Sequence, residues 1–387
     1  MPVRLDKLGV VIAVITGYAV TVAPFATFRA NRIVAGEPQT LLNSLPAWAG
    51  PTLLAIIGIA VLIGLFRTPA TFRLAASFAA LIALFLLIGL AAEHLTPANN
   101  TYARVSPASG FWLLLFAFAL LAADALTRLQ PTPLMRIIVL VLAGAFIGGV
   151  LASGSWDKLS ILKEYGARAD SFWTEAGKHI TLTIGSLVAA VLVGIPLGVL
   201  CHRVQKLRAI VLNVLNIVQT IPSIALFGIL IAPLGWIAAH VPGAAEIGIK
   251  GIGMAPAFVA LFLYSLLPVV ANTVVGLAGV PSGANDAARG VGMTERQRLF
   301  KVEFPLAFPV ILTGVRIVLV QNIGLATIAA LIGGGGFGVF VFQGIGQTAM
   351  DLVLLGAVPT VLLAFAAATI LDAAVELSSP SHSRTSA

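Results

Sequence analysis

Charge is what this chain has least of. Only 10% of its 387 residues are Asp, Glu, Lys or Arg, and no stretch between its apolar runs could hold a soluble domain of useful size. Cysteine is almost absent too, and the single Cys201, expected at the inner end of a span, excludes an intramolecular disulfide. The phosphate-cradling pattern G-x-x-x-x-G-K-[ST] does not occur. Gly333 to Gly336 is glycine-rich but has no lysine after it, so it reads as a tight turn or gate-side loop. The five histidines are scattered without metal-ligand spacing, and no Ser/His/Asp arrangement can be drawn. No catalytic, cofactor-binding or metal-binding residue is therefore assigned.

What is present is hydrophobicity: 59% of residues are hydrophobic, and the mean hydropathy is +1.03. About 20 helical residues cross a bilayer core, so long runs with few charges read as spans. Ten such runs lie at 8–25, 50–66, 74–92, 110–127, 134–152, 178–200, 209–238, 254–278, 306–332 and 351–375. The expected fold is an all-α polytopic membrane protein with about ten transmembrane helices. The first run follows Arg4 and Lys7 as a signal peptide would. Its length and the poor cleavage sequence Ala23-Pro24-Phe25 favour a retained span.

The net charge of +8 behaves as a topology signal. With both termini inside, fourteen bases fall in the cytoplasm: Arg4, Lys7, Arg67, Arg73, Arg128, Arg136, Arg203, Lys206, Arg208, Arg289, Arg296, Arg298, Lys301 and Arg384. Eight fall outside (Arg29, Arg32, Arg104, Lys158, Lys163, Arg168, Lys178 and Lys250), and Arg316 lies within a span. That excess follows the positive-inside rule and gives no support to nucleic-acid binding.

The spans divide into two halves. Residues 1–152 form an N-terminal five-helix region. Residues 153–177 are the longest polar interruption, and Leu159, Ile161, Leu162 and Tyr165 among charges suit an external amphipathic linker. Residues 178–376 hold five more spans, and 377–387 form a polar cytoplasmic tail. No internal repeat is evident, and breakers and polar residues cluster in the second half. There Asn213, Asn216, Thr220 and Ser223 recur at helical spacing, beside Gln219 and Pro222, and Gln321 with Asn322 forms a second polar pair. Such groups either line a watery path or join helices to one another. Pro196, Pro233, Pro268 and Pro359 read as kinks. Arg316 needs a partner or water at its depth.

The most patterned polar stretch is Asp286 to Pro305, DAARGVGMTERQRLFKVEFP. Ser282 and Asn285 suit a helix start, and Asp286 suits the positive end of the helix dipole. Ala287 and Ala288 keep that surface thin, and Gly290 and Gly292 permit a turn. Thr294 with Gln297 fits a capping box for a second short helix. Pro305 stands where the next span begins. The result is a helix–turn–helix elbow on the inner membrane surface, either gripped by another protein or serving as an amphipathic anchor.

The spacing Asp286-Ala287-Ala288, three residues, Gly292, nine residues, Val302-Glu303-Phe304-Pro305 resembles the EAA loop of ABC importer permeases. Asp286 for Glu, Val302 for Ile and Phe304 for Leu are conservative departures. Residues 219–235, 251–277 and 321–338 are similar to permeases of glycine betaine/choline/carnitine importers. NRIVAGE (31–37), SGFWL (109–113) and LSILKEY (159–165) resemble a long-chain branch of that group. The resemblance implies that 178–376 is a type I ABC importer permease core with a cytoplasmic coupling loop at 281–305. Its ATPase-contacting residues would be Asp286, Ala287, Ala288, Gly292, Val302 and Pro305. Candidate path residues are Asn213, Asn216, Thr220, Ser223, Gln321 and Asn322.

The implied partners are a cytoplasmic ABC ATPase dimer, a second permease chain (a shorter paralogue or another copy) and an external substrate-binding protein, in a bacterial inner membrane. This chain would bind no cofactor; ATP and Mg would sit on the ATPase. The implied cargo is a quaternary ammonium osmolyte, with Phe227, Trp236, Phe262 and Tyr264 either packing or offering transient stacking. An ion-coupled secondary transporter of small solutes is the alternative. A membrane-embedded enzyme or sensor is a third reading, without the clustered side chains an enzyme needs.

Overall fold

The structure is a computed structural model that describes residues 5–32 and 34–379. Arg4, Arg384 and residues 380–387 of the expected tail lie outside the described residues. The chain divides into two compact units between Ala167 and Arg168.

In the first unit, elements run in chain order α1 (Lys7–Thr21), β1 (Ala26–Arg29), β2 (Glu37–Gln39), α2 (Leu41–Ser44), α3 (Ala49–Leu65) and α4 (Ala70–Leu95). After these come β3 (Arg104–Pro107), α5 (Ser109–Leu129), α6 (Pro133–Ala152) and α7 (Ser160–Ala167). Helix satisfies every backbone N–H and C=O within the segment, which an apolar medium requires. Asp6 starts α1 by accepting the N–H groups of Leu8 and Gly9, and Thr132 with Pro133 starts α6. Helices α1, α3, α4 and α5 surround a core containing Ile12, Leu53, Leu84, Ile88, Leu114, Phe118 and Leu121.

At the start of α4 the Arg73 guanidinium is completely buried. It meets Asp124 at 2.6 Å and Asp6 at 3.2 Å, and donates to the Gly64 carbonyl at 2.7 Å. Arg128 closes the network on Asp6 at 3.2 Å and on Asp124 at 2.9 Å. Two bases and two acids thus tie four helix ends together, where sequence had shown only basic turns.

The strands join α1 to α2 and α4 to α5 and form one antiparallel sheet in the order β2-β1-β3. Ala26, Phe28 and Val105 turn to the core, while Thr27 opposite Ser106 and Arg29 opposite Arg104 take the other face. The all-helical expectation needs that addition. Strands of three or four residues are too short for an alternating pattern to stand out.

The second unit comprises α8 (Ala169–Arg203), α9 (Gln205–Thr220), α10 (Ser223–His240), α11 (Met254–Ala278), α12 (Ser282–Gly290), α13 (Glu295–Arg298), α14 (Phe304–Ile328), α15 (Gly338–Gly346) and α16 (Met350–Ser378). Residues 169–177 of the expected linker are the first turns of α8, and α7 occupies 160–167. Helix α16 runs two residues into the expected tail. The single run expected at 209–238 is two helices. Pro222 has no N–H to continue the ladder, and Ile221 before it is extended at φ −69° and ψ 126°.

Among the described residues eight helices are long and apolar enough to cross a membrane, and the shorter apolar α1 and α3 fall on the other two expected spans. The C-terminal five are α8, α10, α11, α14 and α16. Apolar burial drives helix association weakly in lipid, so close backbone approach matters more. Gly314 of α14 shows this: a Cβ there would come within 2.9 Å of the Pro268 carbonyl oxygen and 2.8 Å of Asn272 Cβ. Pro268 itself is accommodated inside α11, and its carbonyl accepts the Asn272 side-chain amide at 2.8 Å.

Candidate functional site

Between α11 and α14 the chain builds the elbow. Helix α12 begins directly after Pro281 with no side-chain cap. Asp286 therefore lies in the second turn and not at the dipole terminus expected from the sequence. Its side chain is 69% exposed and reaches Arg289 one turn on at 3.9 Å. Ala287 is exposed, whereas Ala288 packs inward. Gly290 completes the helix, and only Gly292 adopts a left-handed backbone, at φ +79°. A Cβ at Gly292 would meet no atom within 4 Å, so the requirement for glycine there is conformational.

Thr294 and Gln297 then form the capping box: Gln297 N–H donates to Thr294 Oγ1 at 3.3 Å and Thr294 N–H to Gln297 Oε1 at 2.9 Å. From α13 the helix passes through a π turn, Leu299–Glu303, straight into α14. Val302 is half-buried in that turn, and Pro305 is exposed in the first turn of α14, where its missing N–H costs nothing.

The elbow is held by a charge lock that sequence reasoning missed. Glu303 is almost fully buried and accepts from Arg298 Nε at 2.9 Å and from Arg203, the last residue of α8, at 2.7 Å. Arg298 also lies 3.8 Å from Glu295. Arg298 and Glu303 were visible as charges of the island. Their pairing depends on the π turn, which bonds residues five apart and so brings side chains at that spacing together. Arg203 is distant in sequence and gave no signal.

The path candidates separate by burial. Asn213, Asn216 and Thr220 are exposed along α9, and Ser223 is half-buried at the start of α10. The break between these helices is braced from α11. Gln219 donates to the Tyr264 carbonyl at 2.7 Å, and the Tyr264 hydroxyl donates to the Ile221 carbonyl. Gln321 is half-buried, but Asn322 is completely buried at the junction of α8, α11 and α14. Its amide donates to Ser186 and Ser265 hydroxyls, each at 2.9 Å. Asn322 is thus sealed inside that junction, whereas Asn213, Asn216 and Thr220 lie on an exposed helix face.

Arg316 pairs with Asp372 of α16 at 2.5 Å. Among the aromatic candidates, Phe227 and Tyr264 are buried in one cluster, Phe262 packs in another with Cys201 and Leu215, and Trp236 stacks on His240 with ring centroids 4.8 Å apart. The glycine loop is clasped by α8: Glu175 accepts the Gly336 N–H at 2.6 Å and holds Lys178 at 2.6 Å. Gly333, Gly335 and Gly336 all have positive φ, consistent with the tight turn read from the sequence.

The family model "Binding-protein-dependent transport system inner membrane component" matches residues 190–384. The model "ABC transporter permease YehY, N-terminal domain" matches residues 6–162. Among similar proteins, the osmoprotectant import permease OsmW of Salmonella typhimurium is 44% identical over 187 residues, covering 48% of this chain and 82% of that protein. The choline transport system permease OpuBB of Bacillus subtilis is 38% identical over 187 residues, 48% of this chain and 79% of that protein. The osmoprotectant import permease OsmY of Salmonella typhimurium is 37% identical over 237 residues, 61% of this chain and 89% of that protein. These relatives are matched over most of their own length, while this chain extends well beyond the shared part. With its apolar helices, its elbow and a family match across half its length, the chain belongs to the inner membrane components of binding-protein-dependent transport systems and is a multi-pass permease.

Proposed function

We propose that this permease imports a quaternary ammonium osmolyte, glycine betaine, choline or a relative, delivered by an external binding protein and driven by separate ATPase subunits. The observation that carries the reading is the elbow. Its thin Asp286-Ala287 surface is exposed for a partner, while Glu303 behind it is locked to α8 and continuous with α14. A displacement imposed on α12 therefore reaches two spans as a rigid movement, because packed elements shift as bodies. Asp286, Ala287, Ala288, Gly292, Val302 and Pro305 are assigned to this coupling, Ala288 and Val302 from the packed side of the elbow.

Both termini and the elbow face the cytoplasm, and ATP with Mg binds the ATPase partners. A second permease chain covers the exposed face of α9, so Asn213, Asn216, Thr220 and Ser223 line the path between two chains. Gln321 belongs to the same path from α14. The cargo class is supported by the relatives, named for osmoprotectant import and for choline transport.

The test is uptake of labelled glycine betaine, choline and carnitine into proteoliposomes holding this chain with its ATPase, second permease and binding protein. Asp286→Arg or Gly292→Val should reduce ATP-driven uptake at least tenfold while leaving the chain in the membrane. A β-branched residue at the left-handed Gly292 costs roughly 1–2 kcal/mol locally, enough to reshape the turn without unfolding the protein. Full uptake by both variants would defeat the coupling assignment. Uptake by this chain alone, without ATP, would favour the ion-coupled carrier.

A further inference from the structure

Three segments that play no part in the elbow converge on the small sheet of the first unit: residues 31–32 with 34–37, residues 109–113 and residues 159–165. Residues 30–32 and 34–36 lie between β1 and β2, and α5 begins two residues after β3. Leu159 bridges to Val105, and Lys163 donates to the Ala103 carbonyl at 2.8 Å.

On the sheet face turned from the core, Arg29 stands directly opposite Arg104. Partners so placed in an antiparallel pair have Cβ atoms about 5 Å apart, and like charges there are destabilising. Glu164 lies 3.7 Å from Arg104 Nη2, but it is shared with Arg32 at the same distance. Arg29 Nε and Arg104 Nη1 are both shielded from solvent and lack a hydrogen-bond partner among the described residues. Gly36 helps shield the first: a Cβ there would lie 3.1 Å from Arg29 Nε. A buried charged donor left unmade is costly. Nearby, Lys163 is held below the usual lysine range by burial and by the charges of Arg104 and Lys158.

We propose that Arg29 and Arg104 together form a binding site for one oxoanion, a carboxylate or phosphate group bridging their two guanidinium groups. Both donors suit it, because a planar guanidinium matches the two oxygens of such a group. An anion bound between the two guanidinium groups would cancel the cross-strand repulsion. A free solute oxoanion or the phosphate of an anionic lipid supplies the same chemistry.

The test uses the full chain in nanodiscs of phosphatidylcholine. Thermal unfolding is followed in phosphate, acetate and chloride at equal ionic strength, and separately in nanodiscs containing phosphatidylglycerol with chloride alone. Wild type should melt higher with an oxoanion or with the anionic lipid than in chloride with phosphatidylcholine, and the arm that responds identifies the source. Arg29→Gln and Arg104→Gln should each abolish that rise while melting at or above wild type in chloride, since repulsion is relieved. Arg29→Lys keeps the charge but loses the fork and should bind at least tenfold more weakly; Lys178→Gln, in the other unit, should respond as wild type. The proposal fails if wild type shows no rise in either arm, if both Gln variants keep it, or if both melt well below wild type in chloride.

Discussion

Asn322 and Asp286 are both polar residues in an apolar chain, and their surroundings are opposite. Asp286 projects outward with one weak partner, so its carboxylate is available to another protein. Asn322 is sealed among three helices, with its amide shared by Ser186 and Ser265. Those hydroxyls also bond to carbonyls of their own helices, Ser186 to Leu182 at 2.5 Å and Ser265 to Leu261 at 2.6 Å. Removing the amide therefore strands neither of them as a donor. Asn322→Leu should cost about 0.5–2 kcal/mol, the range for polar contacts between membrane helices. Its melting temperature should fall in detergent while the KM for uptake stays unchanged. A changed KM with unchanged melting would return Asn322 to the path. Hydropathy revealed that a polar side chain lay at membrane depth. It could not say which way the side chain faced, because the residues that surround it are more than fifty positions away.

At the scale of elements, the elbow was legible where its chemistry is local and hidden where it is not. The glycine at the turn, the capping box and the proline entering α14 are all short-range signals, and each has the conformation those residues favour. The π turn carries no such signature. In an α-helix each residue advances about 100°, which would carry Glu303 well away from Arg298. The π register brings them to 2.9 Å. Glu303→Gln would leave Arg203 and Arg298 facing each other without an acid between them, at a cost of about 3 kcal/mol for the broken buried pair. The ATPase should still co-purify with this variant, because the Asp286 surface is intact, but uptake per ATP hydrolysed should fall several-fold. Loss of co-purification would mean that the lock shapes the docking surface itself.

Across the whole molecule, the ten apolar runs and their order were readable because a bilayer demands long uninterrupted helices. Short strands and the split at Pro222 interrupt that logic only where the backbone finds partners in neighbouring segments. The orientation proposed here predicts which surfaces meet which compartment. In a Cys201→Ala background, Val291→Cys at the elbow (75% exposed) should react with an impermeant maleimide only after right-side-out vesicles are opened. Ile247→Cys, beyond α10 (77% exposed), should react in intact vesicles. The reverse pattern would invert the topology. Polar ties bind α8 to the chain just before α14, at Arg203 with Glu303, and just beyond its end, at Glu175 with Gly336. With Asn322 and Ser186 between, the pair is triangulated like a truss. Sliding one helix along the other would break a tie at either end, whereas tilting them together breaks none. A force entering at the elbow therefore meets a pair that resists sliding and answers as a single strut.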